Sequence, residues 1–225
     1  MKHRAIKNWA IALFQLVTYF IIGLPLCWVL RVKQIGWSGP LEKEVGSRAQ
    51  AYIIASNHPS RLDPFLICYS LPLVVSLDLI PFRFVTLQKY LNAWWKRAIL
   101  VPFGCVSCMS IKAPQGEKVL DTLSGLLKRK ETLFMVPMGG LDHSSGDRGG
   151  DREPKVGVVY LEKNDQDVRI IPVRISFSRQ LTWMSVLCRK VATIIEYKAP
   201  FRHLNFNADL KPLAWDVVKR IHEKS

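Results

Sequence analysis

Trp9 to Leu30 reads WAIALFQLVTYFIIGLPLCWVL, 22 residues without a formal charge, and no other stretch limits the fold as strongly. At about 1.5 Å per residue a helix of this length reaches about 33 Å, close to the hydrocarbon thickness of a bilayer. Bases bracket it, Lys2, Arg4 and Lys7 before and Arg31 and Lys33 after, so flanking charge favours neither orientation. Gly23 and Pro25 predict a bend. No small-residue cleavage site follows the apolar core, which argues against a removed signal peptide. The expectation is a retained, bent anchor dipping into one leaflet, with the core helix of a soluble protein as the alternative.

The chain has 225 residues, enough for one sizeable domain and an extension. The expected division is an anchor and linker at 1–47 and an α/β body at 48–225. Thirty-two Lys and Arg against eighteen Asp and Glu give a formal charge of +14, which calls for an anionic partner. Nucleic acid is disfavoured, because no recognition helix or RNA-binding motif accompanies the charge, whereas an anchor beside anionic lipid accounts for it. Cys105 and Cys108 stand at C-x-x-C spacing, but no second pair or nearby histidine completes a zinc set. They read as strand cysteines and no metal is expected. Nothing marks a disulfide framework, so a reducing compartment is favoured.

Gln34 to Gln50 is rich in glycine and mixed charge and reads as a linker or hairpin. Ala51–Ser56 is an apolar run of strand length, and Pro64 to Ser70 a short helix stopped by Pro72. Leu73 to Phe84, with β-branched residues broken by Asp78 and Pro81, predicts strand-like pieces. In Val85 to Gly104, Trp94, Trp95, Lys96 and Arg97 suit a membrane interface or, alternatively, a helix packing both indoles into the core. Cys105 to Ile111 is strand-like, and Glu117 to Lys130 has the leucine spacing of an amphipathic helix. Thr132 to Pro137 is a buried strand opening into a loop rich in Gly, Ser and Asp. A helix from Lys155, strands at Arg169–Phe177 and Val191–Tyr197, and a terminal helix at 208–224 complete the pattern. Seven bases and one acid between Arg169 and Arg202 predict a solvated basic face. Alternating strands and helices imply an α/β fold on a mixed, largely parallel sheet.

Asn57-His58-Pro59-Ser60-Arg61-Leu62-Asp63 follows the first body strand. Imidazole accepts a proton near neutral pH, and a carboxylate on its other nitrogen fixes the tautomer and stabilises the imidazolium. Positions five apart on an unbroken helix point about 140° away from each other, so a continuous helix would separate the pair. Pro59 and Pro64 favour instead an extended exit, a short loop and a helix beginning at Pro64 with Asp63 as its N-cap. By type and spacing His58 and Asp63 are the candidate proton-handling pair.

With these residues in place, the chain after about residue 48 resembles the lysophosphatidic-acid acyltransferase family of glycerophospholipid acyltransferases. NHPSRLDPF looks like that family's first block, with Asn57, His58, Ser60 and Asp63 at its recurring positions. VTLQKYL with Lys89 resembles the next block, and VPMGG from Val136 the block written F-P-E-G-T-R. Lys155 and Gly157 fit the lysine and glycine behind it, and IIPVRI with Pro172 fits the late strand.

The resemblance implies transfer of a fatty acyl group from a thioester, acyl-CoA or acyl carrier protein, to a hydroxyl of a membrane lysolipid, with no bound cofactor. It places the protein at a membrane, the cytoplasmic face of a bacterial-type inner membrane or its equivalent, and leaves oligomeric state open. His58 and Asp63 are then catalytic, with Asn57, Ser60, Lys89, Gly139, Gly140, Arg148, Arg152 and Lys155 as substrate-binding candidates. The departures concern the acceptor. Met138, Gly140 and Leu141 stand where the family has Glu, Thr and Arg, and Ser110 where a second arginine is expected. Those arginines grip the acceptor phosphate, which leucine and serine do not replace. Either Arg148, Arg152 or Lys155 serves instead or the acceptor is another lysolipid. A catalytically idle lipid-binding relative is the alternative function.

Overall fold

The computed structural model describes residues 2–36, 50–60, 62–87, 91–108, 116–138, 153–179, 186, 188–189, 191–206 and 208–223. Seven strands form one sheet in the order β1-β7-β6-β2-β5-β3-β4: β1 (Val32–Ile35), β2 (Ala51–Ser56), β3 (Phe82–Leu87), β4 (Cys105–Cys108), β5 (Thr132–Met135), β6 (Val168–Phe177) and β7 (Thr193–Tyr197). Every pairing is parallel except β6 with β7. The mixed, largely parallel sheet agrees with the sequence pattern.

All six residues of β2 are buried, as a parallel strand covered on both faces requires. Alternation then sorts side chains into two cores. Tyr52, Ile54, Phe134, Ile171, Val173 and Ile195 face one side, while Ile53, Ala55, Leu133, Val168 and Ile170 face the other. The second side is covered by α6 (Gly116–Lys128), α7 (Gly157–Asn164) and α8 (Lys211–His222). Leu120, Leu123, Leu126 and Leu127 of α6 and Ala214, Val217, Val218 and Ile221 of α8 form the buried stripes, at the three- and four-residue spacings of a helix face.

The first side is covered by the apolar segment and by α3 (Asp63–Ser70) and α4 (Leu73–Leu79). The segment is helical throughout: α1 (Lys2–Thr18), a π-helical turn at Tyr19–Gly23, and α2 (Leu24–Val29). The π-helical turn ends at Gly23, one of the two residues where a bend is expected, and Pro25 follows in the first turn of α2; the Leu24 N–H donates to the Tyr19 carbonyl. The middle of this helix is fastened to the sheet. The Gln15 amide donates to the carbonyls of Phe82 and Phe103, both at 2.8 Å, and accepts the Phe82 N–H at 3.0 Å. The Tyr69 hydroxyl donates to Thr18 Oγ1 at 3.0 Å and the Tyr19 hydroxyl to the Leu71 carbonyl at 3.0 Å. Gly23 lies against the Tyr69 ring, where an added Cβ would come within 2.4 Å of Cγ. Trp9, Leu13, Val17, Phe20, Ile21, Ile22, Leu24 and Trp28 point outward and are exposed.

Three elements differ from the sequence pattern. Val32–Ile35, within or beside the expected linker, is edge strand β1, paired parallel to β7. Leu73–Leu79 is helix rather than strand, because burial of Val75, Ser76 and Leu79 selects a helical face despite the β-branched residues. The basic stretch from Arg169 to Arg202 is not a wholly solvated face, since it supplies β6 and β7 with Ile170, Ile171, Val173, Ile195 and Tyr197 fully buried. Of its bases, Arg179 and Arg189 are exposed, while Arg169, Arg174, Lys198 and Arg202 are half-buried.

Across the second core, His203 donates its backbone N–H to Glu162 Oε1 at 2.7 Å and sits with Nδ1 2.7 Å from Oε2, while Nε2 lies 3.3 Å from Asp216, which Arg220 also contacts at 2.8 Å. Burial works against the charged ring, but Glu162 and Asp216 outweigh it and hold its pKa above the ordinary histidine value. A raised folded-state pKa contributes stability that is fully present below the unfolded value of about 6.5 and is lost as pH rises through the folded one. The melting temperature of the wild type should therefore fall across that window on the alkaline side, and that of His203→Gln should not follow it. Replacing Gln15 by leucine strands three buried backbone groups and should lower unfolding free energy by about 2–3 kcal/mol in a denaturant titration in detergent.

Candidate active site

Parallel α/β sheets place their sites at the carboxyl ends of the strands, and the Asn57–Asp63 turn leaves that end of β2. The turn is spliced into the sheet by a side chain. Asn57 Nδ2 donates to the Ile175 carbonyl at 2.9 Å and its Oδ1 accepts the Ile175 N–H at 2.7 Å. The amide thus imitates one more residue of the β2–β6 ladder and fixes where the chain leaves it. Ile175 carries no signal in the sequence for this role, because its peptide makes the contact.

Five residues later the chain returns. Helix α3 begins at Asp63, with Leu62 at the cap position and no side-chain cap. Asp63 is therefore the first helical residue and not the expected N-cap, and its carboxylate points back into the loop. Oδ2 accepts the Ser60 N–H at 2.8 Å and lies 3.0 Å from His58 Nδ1; Oδ1 accepts the Ser60 hydroxyl at 2.8 Å. Ser60 Oγ accepts the Leu62 N–H at 3.0 Å. These donors claim the carboxylate before the helix amides can.

Asp63 is 0% exposed and the His58 side chain 20%, so the carboxylate is sealed while the ring reaches the surface. Burial pushes the Asp63 pKa above the usual carboxylate range, against the opposing pull of His58 and of the Ser60 N–H and hydroxyl. A carboxylate with raised basicity is a stronger partner for an imidazolium. Because the ionised carboxylate is acceptor-only, Nδ1 carries the shared proton and the Nε2 lone pair is the ring's basic site. The arrangement can remove a proton from a weak nucleophile and hold the resulting cation.

Of the other candidates, Ser60 is buried and committed to Asp63, and Asn57 is committed to Ile175. Lys155 is exposed, and its N–H donates to the Pro137 carbonyl at 2.7 Å. Since β5 pairs with β2 through Ala55 and Met135, this puts Lys155 at the same edge of the sheet as His58. Met138 is half-buried just past β5. Lys89, Gly139, Gly140, Arg148 and Arg152 lie outside the described residues. Among the described residues no group of three or more His, Cys, Asp and Glu is arranged to hold a metal.

Ser60→Ala removes one of the hydrogen bonds to a buried carboxylate and frees the turn at Leu62. It should lower stability by about 1–3 kcal/mol and loosen the His58–Asp63 contact, read as a changed chemical shift of the His58 ring in the NMR spectrum. An unchanged melting curve and ring signal would show that Ser60 does not hold the pair.

A model of the family described as Acyltransferase matches residues 41–176. The crystal structure of the 1-acyl-sn-glycerophosphate (LPA) acyltransferase PlsC from Thermotoga maritima covers 97% of this chain and 94% of its own, with a TM-score of 0.54 and 13% identity. That identity makes it a likeness of fold. No curated protein matches in sequence. The matched segment starts ahead of β2 and runs almost to the end of β6, so it encloses the whole histidine–aspartate turn, and the chain belongs to the Acyltransferase family.

Proposed function

We propose that this acyltransferase moves a fatty acyl group from a thioester, on coenzyme A or acyl carrier protein, to the free hydroxyl of a lysolipid at a membrane surface. The observation that carries the mechanism is the 3.0 Å contact between His58 Nδ1 and the buried Asp63 carboxylate. As the acceptor oxygen attacks the thioester carbonyl, its proton passes to His58 Nε2, and Asp63 stabilises the imidazolium through Nδ1. The tetrahedral intermediate collapses by breaking the C–S bond, and the departing thiolate takes the proton back. No acyl group need rest on the protein, and no cofactor enters.

In this reading Asn57 and Ser60 act by positioning the turn, and the amides near Gly139 and Gly140 meet the oxyanion. Lys155, at the same sheet edge, and Arg148 and Arg152 are the cations available to an acceptor phosphate in place of the arginines missing at Leu141 and Ser110. Lysophosphatidic acid and other lysolipids are both acceptors to test. Residues 1–47 serve as anchor and linker ahead of an acyltransferase domain at 48–225, β1 being the part of the first that joins the sheet. Membrane association is supported by Trp9–Val29, 21 residues of mean hydropathy 2.1 with one flank exposed.

Met138 and Leu141 favour a second reading, a lipid-binding relative without activity. Purified protein incubated with a long-chain acyl thioester and a panel of lysolipids separates the two. Transfer should occur to at least one acceptor, and His58→Ala should lower kcat/KM by about 10²–10⁴. Turnover indifferent to that substitution sinks His58 as the base, and liposome binding with no transfer to any acceptor supports the inactive relative.

A further inference from the structure

Exposed large apolar side chains are unevenly spread over the chain. All but four of those among the described residues precede Pro102, on the apolar helix, β1, α4 and α5 (Trp94–Leu100) or next to them. Helix α5 buries none of its residues. Trp94 is 82% exposed, Trp95 52%, Ile99 53% and Val101 42%, so the indoles that the sequence left between core and interface are not in the core. A free-standing element of this composition has no reason to hold two tryptophans in water.

The placement of α5 says what covers it. Its exit is sewn to the middle of α1: the Phe103 ring meets Phe14 edge-on at 4.9 Å, and the Phe103 carbonyl accepts the Gln15 amide at 2.8 Å. The chain leaving α5 is therefore held against the middle of the apolar helix. Leu73, Val74 and Leu77 of α4 are likewise exposed next to Leu71, whose carbonyl accepts the Tyr19 hydroxyl. Charge then selects the occupant. From Leu79 to Gly116 the chain carries five bases and no acid. Lys96 stands 5.1 Å over the Trp95 ring, and Arg97 shares a shallow cleft with Trp94, Ala98, Val101 and Pro102. Indole at headgroup depth with bases on the adjoining positions matches an anionic phospholipid leaflet. A second copy of the chain would bring the same bases against each other across a two-fold axis.

We propose that α5 is a second membrane-contact element, which inserts Trp94, Trp95, Ile99 and Val101 into the headgroup layer of an anionic leaflet beside the apolar helix and sets Arg97 against lipid phosphate. It rests on the protein acting at a membrane surface, and it makes the contact a three-element face in one leaflet in place of a single inserted helix. The acceptor lipid then enters from the same leaflet that the face occupies.

The test is co-sedimentation of the full chain with vesicles of phosphatidylcholine alone and of phosphatidylcholine with phosphatidylglycerol, alongside turnover on acceptor dispersed in detergent. The double variant Trp94→Ala, Trp95→Ala should partition about tenfold or more weakly onto both vesicles, given the apolar area of two indoles. Arg97→Gln should weaken binding about fivefold on anionic vesicles at low salt and leave neutral ones unchanged. Both should keep the wild-type rate in detergent. Partitioning unchanged in the double variant overturns the proposal, as does self-association lost in that variant with vesicle binding intact, which assigns the face to a second copy. If the wild type itself shows no transfer in detergent, the acyl-transfer reading fails, while the vesicle measurements still decide the role of α5.

Discussion

A carboxylate with no solvent exposure, at the first residue of a helix, is the constraint that the rest of the site depends on. Removing Asp63 from water is costly unless its oxygens are satisfied, and His58, the Ser60 N–H and the Ser60 hydroxyl do this together. The same helix carries the link to the apolar segment. Phe65 meets Phe103 at 5.1 Å, and Tyr69 meets Thr18 and Gly23. Farther along, the Tyr197 hydroxyl donates to the Ile67 carbonyl and pairs with Ser70. Helix α3 is thus clamped between sheet and apolar helix, and Asp63 inherits its position from both. Docking of the apolar helix and geometry of the proton-handling pair are parts of one packing problem.

The topology explains why His58 can reach a substrate while Asp63 cannot. Strand β2 lies between β5 and β6, so its carboxyl end opens at the middle of one sheet edge, with Pro137 and Lys155 on one flank and Ile175 on the other. Asn57 holds the exit against β6, and the loop turns the histidine outward before α3 buries the aspartate. The core face that receives α3 also receives the apolar helix. Under the proposed function, a lipid acceptor at that surface would reach the turn without crossing the sheet.

Much of this was legible in the chain because periodicity and proline placement are local. The apolar stripe of α6, the buried run of β2, the two prolines flanking the turn and the irregularity at Gly23 and Pro25 announce themselves within a few residues. What was not legible depended on partners far along the chain. Val32–Ile35 reads as linker until β7 pairs with it, and LVVSLDL reads as strand until Val75, Ser76 and Leu79 find a core. Nothing near Gln15 in the chain points to its role, because its partners Phe82 and Phe103 lie 67 and 88 residues away. The N-cap expectation for Asp63 failed for a local reason, since Ser60, three residues earlier, offers its N–H and hydroxyl to the carboxylate.

The central claim is that His58 and Asp63 act as one unit on the acceptor hydroxyl, and a double-mutant cycle on acyl-transfer kcat/KM tests it most directly. Asp63→Asn should lower the rate by no more than His58→Ala does, about two to four orders of magnitude, because the carboxylate acts through the ring. The variant carrying both Asp63→Asn and His58→Ala should be no slower than the His58→Ala variant alone. Losses that multiply in the double variant would mean that the two residues contribute independently, and would contradict the account.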